Sequence, residues 1–237
     1  MNVSKTCYTL FSNKKSIPAI RLHLNGRDID RVAVTKYLGM YLDEHLNWKK
    51  HVEYILSKLV KLEGAFYYLA SIIDQNHIKQ LYYAYIFPYI RYGIEIFGVC
   101  DLTTMKKLQV KQNKLLKILC QKNRLYSTNE LHEELNILKC VDVHKFFTSI
   151  FVYKQQKGTL PIVFQHYYTQ NHNVCSRSTR QSNDIYVPRF RTLGGQKSLR
   201  YVGAKLWNTL NNNIKCETSL SSFKHSLKTM LISTYKT

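Results

Sequence analysis

The sequence predicts an α+β protein, mostly α, with a small antiparallel β-sheet at its start and helical modules after it. Three observations predict this. Over residues 1–45 the chain is rich in aromatic and β-branched residues, with Asn25-Gly26 as a strong hairpin signal. From Trp48 the apolar spacing changes to three and four, the period of a helix. Gly and Pro number only 9 and 4, so the elements are joined without long linkers.

Residues 6–12 read as a strand. Residues 20–24 alternate apolar and polar, and residues 29–42 supply further strand material. Such a small sheet is expected to leave an apolar edge exposed near residues 6–42. Trp48, Val52, Ile55, Leu56, Leu59, Leu62, Phe66 and Leu69 then cover one half of a helix, with Lys49, Lys50, Lys58 and Lys61 on the other. That basic half is either a solvated face or a face lying along a phosphate backbone, and the helix alone favours solvent.

Residues 76–87 read as a tyrosine-rich helix that Pro88 ends or kinks. Tyr82, Tyr83, Tyr85, Tyr89 and Tyr92 can pack in a core or stack on bases, and core packing is the commoner use. A helix over about 102–121 turns Met105, Leu108, Leu115, Leu116 and Leu119 inward. Its far side carries Lys107, Lys111 and Lys114 in one row. Three lysines with no acidic neighbour in the row repel one another unless a polyanion lies nearby, which makes this the better phosphate-binding candidate.

A short helix follows from Thr128, then a longer one from Asp142 to Gln156, ended by Gly158 with Pro161 beyond. Residues 165–185 are polar without an apolar period and mark a boundary. Ser219 caps a last helix with Leu220, Phe223, Leu227 and Leu231 inward. The division expected is therefore 1–45, 46–164 and 165–237.

Charge narrows the function. Lys plus Arg is 35 against 15 for Asp plus Glu, a formal charge of +20 with a pI near 9.7. From Arg177 onward, eleven basic residues face only Asp184 and Glu217. A folded chain this basic attracts polyanions, nucleic acid first and anionic membranes second. No run is long and apolar enough to span a bilayer. Six cysteines without a Cys-x-x-Cys pair, and no apolar leader, point to an intracellular chain with reduced thiols.

The catalytic readings are weak. Polymerase and nuclease chemistry needs carboxylates converging on metal ions, and the sequence contains no Asp-Asp dipeptide. Glu130, Glu133 and Glu134 with His132 read as acids suiting a helix dipole rather than a cation site. His166, His172 and Cys175 lack a fourth ligand and a familiar zinc spacing. Gly194-Gly195 lacks the Lys-Ser/Thr of a P-loop. No metal site is expected.

Several phrases, in order, resemble one family. Asn2-Val3-Ser4-Lys5-Thr6, Lys36-Tyr37-Leu38-Gly39-Met40-Tyr41-Leu42-Asp43 and Leu46-Asn47-Trp48-Lys49-Lys50-His51 open the series. Tyr89-Ile90-Arg91-Tyr92-Gly93, Gln109-Val110-Lys111-Gln112-Asn113-Lys114 and Gly158-Thr159-Leu160-Pro161 continue it. Thr179-Arg180, Gly203-Ala204-Lys205-Leu206-Trp207-Asn208 and Ser222-Phe223-Lys224 complete it. The chain is similar to the region after the catalytic core of jockey-like, non-LTR (LINE-type) retrotransposon reverse transcriptases, truncated before the catalytic palm.

The resemblance implies a palm remnant with the primer grip over 1–45, a helical thumb and connection over 46–164, and a basic C-terminal module over 165–237. It implies RNA and DNA partners, as a template–primer duplex, and no membrane. Nucleic-acid contacts are expected from Lys36, Tyr37, Gly39, Lys49, Lys50, Lys107, Lys111, Lys114, Arg180, Arg189 and Arg191. Lys5 matches a lysine near the incoming nucleotide and inherits a catalytic role only beside an upstream palm, where the family holds Mg²⁺. Alone, the chain is expected to bind nucleic acid without polymerase activity and without a cofactor. The alternatives are a working part of a longer polymerase polyprotein, or a domesticated module using the tyrosine-rich helix against a protein partner.

Overall fold

Asn25 and Gly26 both have positive φ, 50° and 72°, as a two-residue type I′ turn requires. They close an antiparallel hairpin between β2 (Leu22–Leu24) and β3 (Arg27–Arg31), with Leu22 opposite Ile29. This computed structural model describes residues 6–12, 20–174 and 181–236. β1 (Cys7–Tyr8) pairs with the other side of β3, and it does so in parallel. The small antiparallel sheet expected from sequence is thus antiparallel at β2–β3 and parallel at the β1–β3 pair. A parallel pair needs a crossover of about a dozen residues or more, and the segment holding β2 supplies it.

A second hairpin joins β4 (Val34–Tyr37) to β5 (Met40–Asp43) through Leu38 and Gly39, at φ 45° and 81°. The Ser12 N–H bonds the Glu44 carbonyl at 2.9 Å, and Arg31 pairs with Glu44 at 2.7 Å, tying the two sheets together. Phe11, Ile20, Leu22, Tyr37 and Leu38 are exposed, which places apolar surface where the sequence led us to expect it.

The turn into the helices centres on Asp43. Its buried carboxylate accepts the N–H groups of His45, Asn47 and Trp48 at 3.0–3.1 Å. This holds Trp48 in the left-handed region at φ 66°, where a bulky residue costs roughly 1–2 kcal/mol, and leaves its indole buried. Trp48 therefore caps α1 (Lys49–Val60) rather than lying inside it. The expected single helix bends at Lys61 and continues as α2 (Leu62–Ala70), with Val52, Ile55, Leu59 and Phe66 in the core.

Pro88 does not end its helix. The chain runs from α3 (Ile78–Leu81) through a π-helical turn, Tyr82–Ile86, into α4 (Phe87–Arg91). The Phe87 N–H reaches back five residues to the Tyr82 carbonyl. A widened turn makes room for the proline ring, which would otherwise press on the carbonyl four residues earlier. Gly93, at φ 72°, then turns the chain into α5 (Ile94–Phe97); a Cβ there would lie 2.7 Å from Met40 Sδ. The Tyr92 hydroxyl donates to the Leu38 carbonyl. These contacts dock the β4–β5 hairpin on the Tyr92–Gly93 turn.

α6 (Leu102–Leu119) and α8 (Cys140–Gln156) run through the centre, with the capped α7 (Thr128–Glu134) between them in sequence. The remainder is α9 (Leu193–Gln196), α10 (Leu199–Thr209), α11 (Asn212–Lys215) and α12 (Leu220–Ser233). Ser219 accepts from the Ser222 N–H at 3.0 Å as the expected cap of α12. Tyr153 of α8 stacks on Phe223 of α12 with ring centroids 4.3 Å apart, and Trp207 of α10 lies against Phe223.

A single cluster of buried side chains runs from Met40 to Tyr235. The polar stretch 165–185 contributes Tyr168 and Ile185 to it. The Asn208 amide bonds both the N–H and the C=O of Ile185, at 3.0 and 2.8 Å. Gly203 lies so close to Tyr168 that a Cβ would sit 2.0 Å from its hydroxyl oxygen. The resemblance phrase 203–208 is thus a packing device. Among the described residues no helix is long and apolar enough to cross a membrane.

Candidate nucleic-acid interface

α6 begins at Asp101, whose carboxylate accepts the Thr104 N–H and hydroxyl, both at 2.8 Å. These bonds hold the Asp101 carboxyl below its usual range, and the nearby Lys49 and Lys197 charges add to the effect. Met105, Leu108, Leu115, Leu116 and Leu119 are buried as the spacing predicts. α1 and α2 run beside α6 in the same direction. Lys49 is near Asp101, Glu63 meets Lys111 and Lys114, and Gln121 donates to the Ala70 carbonyl.

One premise of the lysine row is corrected here. The row has an acidic partner, supplied by the neighbouring helix. Glu63 of α2 pairs with Lys111 and, at 2.5 Å, with Lys114. Burial acts to raise the Glu63 carboxyl, but the two lysine hydrogen bonds outweigh it and hold it below its usual range. Sequence spacing could not reveal this, because 48 residues separate Glu63 from Lys111. Lys107 is exposed and stands in no ion pair among the described residues.

The row leads into a cleft of about 1020 Å³ between the end of α2 and the end of α6. Tyr67 and Val110 line its walls. Lys114, Lys117, Lys122 and Arg124 bring four cations to it, and among the described residues no carboxylate lines it. Lys117 Nζ donates to the Arg124 carbonyl at 2.7 Å, and Lys122 Nζ lies 4.3 Å from the Tyr126 ring centroid. Gln121, at φ 51°, turns the chain back at this end. Sequence reasoning did not single out Tyr67, Lys117, Lys122 or Arg124. Lys117 could have been found, since it follows Lys114 by three on the same helix; the others required the course of the loop.

The remaining expected contact residues lie apart from this cleft. Lys36 and Tyr37 are exposed on the β4–β5 hairpin, with Lys36 Nζ 5.8 Å from the Tyr41 ring centroid and 5.9 Å from that of Tyr54. Gly39 forms the turn against Tyr92. Lys50 pairs with Glu53 at 2.9 Å, a solvated i, i+3 pair, while Lys49 lies at the start of α1. Arg189 and Arg191 are exposed in the segment before α9. That segment's continuation, Thr192 to Leu199, faces the 45–48 turn across a second cleft of about 800 Å³. Lys5 and Arg180 lie outside the described residues.

The tyrosines divide. Tyr82 is buried and accepts from the Gln112 amide at 2.8 Å, whereas Tyr83, Tyr85, Tyr89 and Tyr92 are exposed. Core packing therefore accounts fully for only one of the five. His132 is buried, with Nδ1 2.9 Å from the Ile137 carbonyl and Nε2 2.9 Å from the Asn113 side-chain amide. Burial drives its pKa down to about 4. Gln112 donates to the Leu138 carbonyl at 2.9 Å, and Gln109 accepts the Cys140 N–H at 2.6 Å. The phrase 109–114 thus has an inner edge joining α6, α7 and α8, and an outer edge of lysines. Among the described residues no group of His, Cys, Asp and Glu is placed to hold a metal ion; Cys175 lies outside them.

Comparison with known proteins finds relatives over part of the chain. No family model matches the chain, and no solved structure matches it. The probable RNA-directed DNA polymerase from transposon X-element of Drosophila melanogaster is 25% identical over 145 residues. The RNA-directed DNA polymerase from mobile element jockey is 24% identical over 148 residues in D. melanogaster and 22% over 147 in Drosophila funebris. Each alignment covers 60% of this chain but only 16% of the relative. Across about 60% of its length the chain is homologous to the RNA-directed DNA polymerases of jockey-like non-LTR retrotransposons.

Proposed function

We propose that this chain is the region following the catalytic palm of a non-LTR reverse transcriptase, and that it holds template–primer nucleic acid through phosphate contacts. On this reading it performs no polymerase chemistry alone. The observation that carries the proposal is the surplus of unpaired cations on the α6 face. Lys107, Lys117, Lys122 and Arg124 stand in no ion pair among the described residues, and the chain carries +20 overall. Such a surplus is the electrostatic footprint of a polyanion site. The polymerase relatives supply the kind of polyanion.

Lys36, Tyr37 and Gly39 would meet the primer end, and Lys49, Lys107, Arg189 and Arg191 the duplex backbone. Lys5 would act on the incoming nucleotide only beside a palm that supplies the carboxylates and their Mg²⁺. The test is fluorescence anisotropy with an RNA–DNA duplex across a salt series. Affinity should fall steeply with salt, the log–log slope steepening by about 0.7–0.9 for each phosphate contacted. Lys107→Ala should weaken binding and flatten that slope by about one contact; a salt-independent affinity would reject the reading. Primer extension with Mg²⁺ should yield no product, and extension by the purified chain would overturn the catalytic half.

A further inference from the structure

We propose that the cleft between α2 and the end of α6 is a single-strand site that takes an unpaired base, with the flanking phosphates on Lys117, Lys122 and Arg124. This rests on the nucleic-acid reading above and adds a second mode of binding to it. Three features support it: shape, chemistry and rigidity.

The volume, about 1020 Å³, lies at the upper end of pockets that enclose small molecules. It has room for a base with its sugar and adjoining phosphates. A duplex keeps its bases stacked inside and presents only its backbone, so it can ride over the lysine row but cannot enter a recess. An unpaired base can.

The lining suits such a guest. Tyr67 is exposed and offers an aromatic face, and Val110 adds apolar wall. Stacking on an aromatic ring tolerates any base, because every base has a π-face. Lys117 stands on the last turn of α6 and Lys122 and Arg124 on the loop after it, and among the described residues no carboxylate lines the cleft to repel phosphate. Glu63 does not enter the lining; it stays bound to Lys111 and Lys114.

The loop is held in place before any ligand arrives. The Lys122 N–H bonds the Lys117 carbonyl at 2.9 Å, Lys117 Nζ bonds the Arg124 carbonyl, and Gln121 is tied to Ala70. A preformed site avoids part of the ordering cost of binding. Arg124 keeps its guanidinium free of ion pairs among the described residues, ready for bidentate contact with phosphate.

The experiment compares two probes on the full chain: a single-stranded oligonucleotide carrying one 2-aminopurine, and a blunt duplex with the same number of phosphates. Variants are Tyr67→Ala, Tyr67→Phe and Arg124→Ala, with Lys107→Ala as a change outside the cleft. All three positions are exposed, and unfolding midpoints equal to wild type confirm that the variants fold. Tyr67→Ala should weaken single-strand binding by about tenfold and abolish the 2-aminopurine quenching, while leaving duplex affinity near wild type. Tyr67→Phe should retain both. Arg124→Ala should weaken the single strand more than the duplex, and Lys107→Ala the reverse. If wild type binds both probes but Tyr67→Ala affects them equally or not at all, the cleft proposal is overturned and the wider nucleic-acid reading stands. If wild type binds neither probe at about 50 mM salt, where phosphate contacts are strong, both readings fall.

Discussion

At Glu63 one carboxylate serves two ammonium groups, Lys111 and Lys114. The pair with Lys114 is exposed and the pair with Lys111 half-buried; surface pairs contribute about 0–1 kcal/mol to stability, so their larger effect is on surface potential. Glu63→Gln should leave the unfolding midpoint almost unchanged and tighten duplex binding several-fold. It should also steepen the salt slope by about 0.7–0.9 for each lysine that then finds a phosphate. Unchanged affinity in the anisotropy titration would mean that neither lysine reaches nucleic acid. The buried histidines act on stability instead. Burial lowers His132 and His144 to about 4, and lowers His51 as well. Their folded pKa values lie below the unfolded value near 6.5, so the unfolded chain binds protons first on acidification. The stability that His132 and His144 hold is complete above about pH 6.5, falls as pH drops, and is gone near pH 4. For His132 and His144 the loss should be about 2 kcal/mol each between pH 7 and pH 5. Urea unfolding at those two pH values measures it, and a flat profile would show that these rings are solvated.

Among the elements, α6 was the most legible. Its apolar spacing, length and lysine row could all be read from sequence, because a helix face follows from local geometry alone. Its polar inner edge could not, since Gln109, Gln112 and Asn113 find partners on α7 and α8 and in Tyr82. The Pro88 helix shows the same limit from the other side. Local rules place a break at the proline, yet the π-helical turn before it lets packing of Tyr82, Ile86 and Ile90 continue through. α10 carries a direct test. Gly203→Ala would push a methyl group into the Tyr168 hydroxyl, which donates to the Leu199 carbonyl at 2.8 Å. We expect a loss of about 1–3 kcal/mol in denaturant unfolding; a neutral result would mean that Tyr168 swings aside without cost.

For the whole molecule, the core forms one cluster joining Trp48 beside the sheet to Trp207 and Tyr235 near the end. Cooperative domains give coincident transitions by different probes. Unfolding followed by tryptophan fluorescence and by far-UV circular dichroism should therefore coincide. A separate, earlier transition reported by Trp207, identified with Trp48→Phe, would show that residues 165–237 melt alone, as the three-part division read from sequence expects. The same scale governs the charge. A chain at +20 repels itself when compact, so added polyanion should raise its thermal midpoint as well as bind. Thermal scans with and without an RNA–DNA duplex at low salt check this, and an unchanged midpoint would argue against binding to the folded state.

The sequence by itself determined the mostly helical class, the Asn25-Gly26 hairpin, the inward faces of α1, α6 and α12, the cap at Ser219 and the basic character. Each of these depends on residues a few positions apart or on composition alone. Ordered phrases also carried the resemblance to non-LTR reverse transcriptases, and relatives at 22–25% identity support it over about 60% of the chain. Tertiary structure alone decided which lysines remain unpaired, because Glu63 arrives from another helix. It decided that His132 serves the core rather than a cation, and that Gly203 and Asn208 pack against 168 and 185. It also made the cleft between α2 and α6, whose walls lie some fifty residues apart in sequence. Those are contacts between distant segments, and periodicity along one segment contains no information about what another segment brings to it.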